Sequence, residues 1–152
     1  NDTDVADPRR TIVETLDDAS APVVVPAHPR TTTVLDEMGY EPSGSLRLVD
    51  PLDYLDFLSL LDSARVAVTD SGGVQEEASI LEVPCLTVRP NTERPETVAA
   101  GVNELVEPDE FGDRLATLLT DDDARAAMTG APDLYGDGSA GEHIVDVLDA
   151  QV

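Results

Sequence analysis

The chain has 152 residues, enough for one domain with a real core and too few for two comfortable ones. Its 32 acidic residues against 9 Lys plus Arg give a formal charge of −23, a surface that repels phosphate backbones and so excludes nucleic acid as an expected partner. Hydrophobic residues make up 41% and fall in periodic runs, which excludes disorder, and no apolar run nears the roughly 20 residues that span a bilayer.

Asp and Glu are spread along the whole chain rather than gathered in a tail. Charge this far from zero maintains solubility at the cost of self-repulsion, the balance expected of a salt-adapted protein. No signal peptide opens the chain, and a single cysteine cannot close an internal disulfide, so a reducing, cytoplasmic setting is expected.

In chain order, residues 7–19 read as a helix and "APVVVPAH" (21–28) as a short β-branched strand. A helix over 30–39 follows, ended by Gly39, and then a strand over 45–51. In "DYLDFLSLLDSA" (53–64), Leu55, Leu58 and Leu61 recur at helical spacing while Asp56, Ser59, Asp62 and Ser63 make the wet face. Strand "RVAVTD" (65–70) runs into Ser71-Gly72-Gly73, where a helix restarts. Two more strands, 84–90 and 103–108, precede helices over 109–119, 121–128 and 140–150, with Asp121 or Asp122 as the N-cap of the middle one.

About five short apolar strands alternating with helices predict an α/β fold: a Rossmann-like three-layer sandwich around a parallel sheet. Ligands of such sheets bind beyond the carboxyl ends of the strands. That rule selects four junctions: His28-Pro29-Arg30, Asp50-Pro51-Leu52, Asp70 to Gly73, and Arg89 to Arg94.

At the third junction, Gly72 and Gly73 permit close backbone approach, and the first N–H groups of the helix are unpaired. Ser71 either adds a hydroxyl to an anion pocket or simply caps the helix. The loop has neither the GxGxxG nor the GxxxxGK[ST] pattern. Glu76 and Glu77 suit a helix N-terminus through the macrodipole alone. Glu77, four residues after Gly73 and on its face, also suits the paired hydroxyls of a ribose next to a bound phosphate.

Arg89 and Arg94 are two of very few cations, and they either meet an anion or bridge to Glu93 or Glu96. Cys85, within "VPCLTV", reads as a small core residue. His28 ends the first strand, and His143 reads as a surface or interface residue. Two His, one Cys and no spaced cluster argue against a zinc site, and Ser71 has no His partner nearby in sequence for a hydrolase triad.

The stretches "PAHPRT", "LVDPLDYLDFLSLLDSA", "VTDSGGVQEEASILEVPCLTVRPNTERPETVAAGVNELV" and "LYGDGSAGEHI", in that order, resemble the non-hydrolysing UDP-N-acetylglucosamine 2-epimerases. "DSGG" followed by "QEE" favours that branch over the hydrolysing one. The resemblance implies that residues 1–152 are a single Rossmann-like, UDP-binding domain, the C-terminal half of a GT-B architecture. Its N-terminal domain, which would carry the catalytic residues, lies outside this chain.

The resemblance further implies that Ser71, Gly72 and Gly73 hold the diphosphate, Glu77 the ribose and Arg94 the UDP portion. Phe57 and the backbone at Leu52 would frame the uracil, and His28 matches a residue near a regulatory UDP-GlcNAc in some members. The implied reaction removes the C2 proton of UDP-GlcNAc, eliminates UDP to leave a glycal, and adds UDP back to give UDP-ManNAc, with no cofactor and no metal. The isolated chain would then be inactive, the complete protein is open to forming a homodimer, and a truncated domain would expose the apolar face that met its partner. Two other readings stay open: part of a GT-B glycosyltransferase, and a UDP-sugar-binding module without chemistry.

Overall fold

The computed structural model describes residues 7–131 and 133–151. Helix α1 (Pro8–Asp17) opens it, followed by β1 (Val23–Pro26), α2 (Pro29–Glu37), β2 (Leu46–Val49) and α3 (Tyr54–Asp62). Then come β3 (Ala67–Val68), α4 (Gly72–Ile80), β4 (Cys85–Thr87), α5 (Pro95–Ala99) and β5 (Asn103–Leu105). Three helices finish the chain: α6 (Pro108–Thr120), α7 (Asp122–Ala126) and α8 (Ala140–Asp149). The short α5, started by Pro95, was not anticipated; five residues carry too little periodicity to announce a helix.

All strand pairing is parallel, as the alternation of strands and helices predicts. The strands differ from expectation in joining two ladders, β1-β2 and β3-β4-β5, rather than one sheet. They are also shorter than their apolar runs. Pro22 and Pro26 bracket β1, and proline has no N–H to continue a ladder.

Strand periodicity sorts the core into two faces. In β4, Leu86 points into a cluster with Val106, Phe111, Leu115 and Leu118, lying under α1 and α6. Its neighbour Cys85 points the other way, into Leu61, Ala67, Ala78 and Val83 beneath α3 and α4. Helices thus cover both faces, giving the three layers. Burial pushes the Cys85 thiol up to about 12, so it is a core residue and not a nucleophile.

One buried acid anchors the entry to β2. Both carboxylate oxygens of Asp17, at the end of α1, accept hydrogen bonds: from Tyr40 Oη–H (2.8 Å) and from the N–H groups of Ser43 (3.0 Å), Gly44 (2.9 Å) and Leu46 (3.1 Å). The Ser43, Tyr40, Leu46 and Gly44 bonds outweigh desolvation and hold the carboxyl down at about 2. Gly44 is required by proximity, since a Cβ there would lie 2.3 Å from the Asp17 carbonyl oxygen. Gly39 (φ 60) ends the α2 segment in the left-handed region, as the sequence predicts.

Asp121 proves to be the N-cap of α7, accepting from the amides of Asp123 and Ala124. Helix α8 stands clear of both clusters, with Ile144, Val145, Val147 and Leu148 all exposed, and His143 is exposed beside them. Among the described residues, no helix is long and apolar enough to cross a membrane.

Candidate functional site

The glycine turn closes β3 and opens α4. Ser71 caps the helix, its Oγ accepting from the Val74 N–H at a long 3.5 Å, while its own N–H donates to Thr69 Oγ1 (3.0 Å). Gly72 and Gly73 occupy the first two helical positions, and neither has a positive φ. Backbone conformation therefore does not demand glycine at either position. The consequence of these glycines is space above the helix end, where the first amides point outward without intrahelical acceptors.

That space is overlooked by a cation. A Cβ on Gly72 would meet the Arg94 Cζ at 3.5 Å and its Nη2 at 3.6 Å, so the guanidinium lies across the turn. Arg94 does not bridge to Glu93 or Glu96, as one reading of the sequence had it. Its Nε donates to Glu76 Oε1, and its Nη1 donates to the Glu93 carbonyl (3.1 Å). Nη2 has no acceptor among the described residues. The Glu76 hydrogen bond raises the Arg94 pKa, so the charge is permanent. Both side chains are about one-third exposed, so the pair contributes about 1 kcal/mol or less; its effect is to aim the guanidinium.

Arg89 follows the predicted bridge, pairing with Glu93 at 3.7 Å, and its Nη1 also donates to the Asp70 carbonyl (3.4 Å). Both arginines thus converge on one turn of a strongly acidic protein. Glu77, one turn further along α4, accepts from the Tyr54 phenol of α3 and raises its pKa. Phe57 is partly buried and packs, with Val74, against the Leu61–Ala78 cluster. Leu52 sits half-exposed in the loop before α3. His28 caps α2 instead, its Nδ1 accepting from the Arg30 N–H (3.2 Å), and no contact joins it to the glycine turn.

Beneath Arg94 lies a buried polar network that the sequence reading missed. Gln75 Oε1 accepts from Thr92 Oγ1 (2.5 Å) and from Asn103 Nδ2 (3.0 Å). Asn103 Nδ2 also donates to Thr97 Oγ1 (3.1 Å), and Asn103 Oδ1 accepts from Thr87 Oγ1 (2.9 Å). The Arg94 N–H donates to Thr92 Oγ1 (3.0 Å), and Thr97 Oγ1 donates to the Arg94 carbonyl (2.7 Å). Both backbone groups of Arg94 are therefore held by residues tied to the sheet and to α4. Asparagine is depleted in strands, so Asn103 at the head of an apolar strand was the available signal.

Tyr135, from the "LYGDGS" segment, donates to Glu96 Oε1 (2.7 Å), which ties that segment to α5. Burial first, and then the Glu96 carboxylate, push the Tyr135 phenol up, and its hydrogen bond holds Glu96 down. Among the described residues, no three of His, Cys, Asp and Glu converge as metal ligands. The arrangement offers helix amides and a guanidinium to an anion, and a carboxylate to hydroxyls one turn away.

The sequence matches the family model described as UDP-N-acetylglucosamine 2-epimerase over residues 2–149. It is similar to the UDP-N-acetylglucosamine 2-epimerase of Methanocaldococcus jannaschii, 40% identical over 145 residues covering 90% of this chain and 37% of that protein. A solved structure of the UDP-GlcNAc 2-epimerase from that organism superposes with a TM-score of 0.79 at 35% identity, covering 94% of this chain and 41% of the other. A second, in complex with UDP-GlcNAc and UDP, gives 0.76 at 36% identity, with 93% and 39% covered. The chain therefore spans no more than 41% of the length of any of these relatives. With the Rossmann-like fold in common and the match running almost end to end, the chain belongs to the UDP-N-acetylglucosamine 2-epimerase family.

Proposed function

We propose that this chain is the UDP-binding, C-terminal portion of an enzyme that interconverts UDP-GlcNAc and UDP-ManNAc by eliminating and re-adding UDP. The observation that carries this reading is the pairing of unclaimed α4 amides with an Arg94 guanidinium aimed over Gly72, in a protein of net charge −23. A cation held there against so much negative charge is suited to a diphosphate. The relative solved with UDP-GlcNAc and UDP supports the choice of nucleotide.

In this reading Ser71, Gly72 and Gly73 bind the diphosphate, and Arg94 stabilises the charge that develops on it as the C1–O bond breaks. Glu77 takes the ribose hydroxyls in exchange for the Tyr54 phenol, and Phe57 and Leu52 flank the uracil. His28 has only Nε2 left for a ligand, and contact with a regulatory UDP-GlcNAc would use that atom. Proton transfer at C2 belongs to the portion of the family fold that this chain does not span, so these 152 residues alone bind without turnover. The acid coat makes the protein salt-adapted and cytoplasmic.

Calorimetric titration with UDP in molar KCl tests the reading, with Ser71→Ala/Arg94→Ala as the comparison. Removing one charge-assisted contact and one hydroxyl should weaken binding by on the order of 100-fold, from about 3 kcal/mol of lost interaction. Equal affinity in the two proteins would move the site elsewhere. Epimerisation by the isolated chain would overturn the assignment of chemistry to the missing portion.

A further inference from the structure

The two ladders face each other across a cavity of about 710 Å³, with β1 along one side and residues 65–69, at β3, along the other. Its remaining walls are apolar, built from residues such as Leu16, Leu60, Leu115 and Leu119.

The backbone edges on both sides are unspent. In β1, the N–H groups of Val23 and Ala27 donate to Ser45 and Val49 on the β2 side (3.0 and 2.9 Å). Alternation then turns the Val24 amide toward the cavity, and Val24 is 40% exposed. In β3, Ala67 and Thr69 donate to Pro84 and Leu86 on the β4 side (2.8 and 3.0 Å), which turns the amides of Val66 and Val68 toward the same cavity. Two parallel edges therefore point at each other with a gap between them.

Topology says what the gap is for. A doubly wound sheet has the order 3-2-1-4-5-6, and its first strand is central. The order here is β2-β1, then the gap, then β3-β4-β5, which is that pattern with its first strand missing. Helix α1 precedes β1 and packs against α6, on the cluster that includes Val66 and Val68. A helix so placed is the crossover that should bring the chain from a central strand to β1 by a right-handed connection.

We propose that this cavity is the seat of a sixth parallel strand, supplied by the polypeptide that precedes α1 in the family fold. The strand pairs with β1 on one edge and β3 on the other, and it is apolar and β-branched on both faces because helices cover both. The stretch of family fold that this chain does not span, more than half of each relative, is ample to provide it. The inference stands apart from the nucleotide reading, since it rests only on strand order and edge chemistry.

The test extends this chain at Asn1 by Val-Ile-Val-Val-Thr, leaving residues 1–7 as the loop to α1, beside a Gly-Ser-Gly-Ser-Gly control. Amide exchange at Val24, Val66 and Val68 should slow by on the order of tenfold or more with the apolar extension alone. Where spectra fail, a cysteine at the centre of the extension should form a disulfide with either Val24→Cys or Val68→Cys. Equal exchange with both extensions, or crosslinking to neither position, overturns the proposal. Protection of the three amides in the unextended chain does so too: independent of concentration it means that β1 and β3 pair directly, and rising with concentration it means that a second copy fills the seat.

Discussion

Asn103→Ala probes the network that holds Arg94. Asn103 is 3% exposed and joins Thr87, Thr97 and Gln75 through three hydrogen bonds. Its loss leaves the fully buried Thr87 hydroxyl without an acceptor, at about 1–3 kcal/mol. The space left by the amide adds about 1 kcal/mol. Gln75 Oε1 keeps its bond from Thr92, so that residue loses less. The sum, about 2–4 kcal/mol, is a large share of the roughly 5–15 kcal/mol that holds a domain folded. Urea unfolding in high salt should show it as a midpoint lower by about 1–2 M at an unchanged slope. Because Arg94 is anchored through Thr92 and Thr97, UDP affinity should fall as well, while Ser71 is untouched. The decisive comparison is Thr87→Val/Asn103→Ala, which removes the orphaned hydroxyl. It should cost less than the sum of its single changes by about 1–2 kcal/mol. Strict additivity, or a single-variant cost below about 1 kcal/mol, would refute the reasoning.

The Asp17 cluster predicts acid and alkaline limits. Asp17 titrates near 2 when folded and near 3.8 otherwise, so its contribution is present above about pH 4 and is lost as pH falls through 2. The thermal midpoint of Asp17→Asn should accordingly fall less than that of the parent over that window. Tyr40 is pushed up to about 12 from 10, chiefly by its hydrogen bond to Asp17. Its contribution is present below pH 10 and is lost as pH rises through 12, and Tyr40→Phe should remove that alkaline slope. Gly44→Ala forces a Cβ into the Asp17 carbonyl and should cost about 1–3 kcal/mol in urea unfolding, whereas Gly72→Ala, with its nearest neighbour at 3.5 Å, should leave stability nearly unchanged. Raising KCl to about 1 M shortens the Debye length to roughly 3 Å and should lift the thermal midpoint; a flat response would count against salt adaptation.

The sequence alone determined the class of fold and the location of the site. Alternating β-branched runs and 3.6-residue periodicities require a parallel α/β sandwich, because each period admits only one buried face. Ser71, Gly72 and Gly73 were legible as an open helix start because a strand-to-helix junction with two glycines has little else to be. The placement of Arg94 was not legible. Its partner Glu76 lies 18 positions away, and only the packing of α4 beside the loop before α5 chooses Glu76 over Glu93 and Glu96. The same holds for Gln75, Thr92, Thr97 and Asn103, each polar in its own local context and meaningful only once the fold buries them together. Tertiary structure also decided that the five strands do not close into one sheet. Run length and composition report that a segment is a strand, but which edges meet depends on the chain between them, and here a central place is left open between β1 and β3.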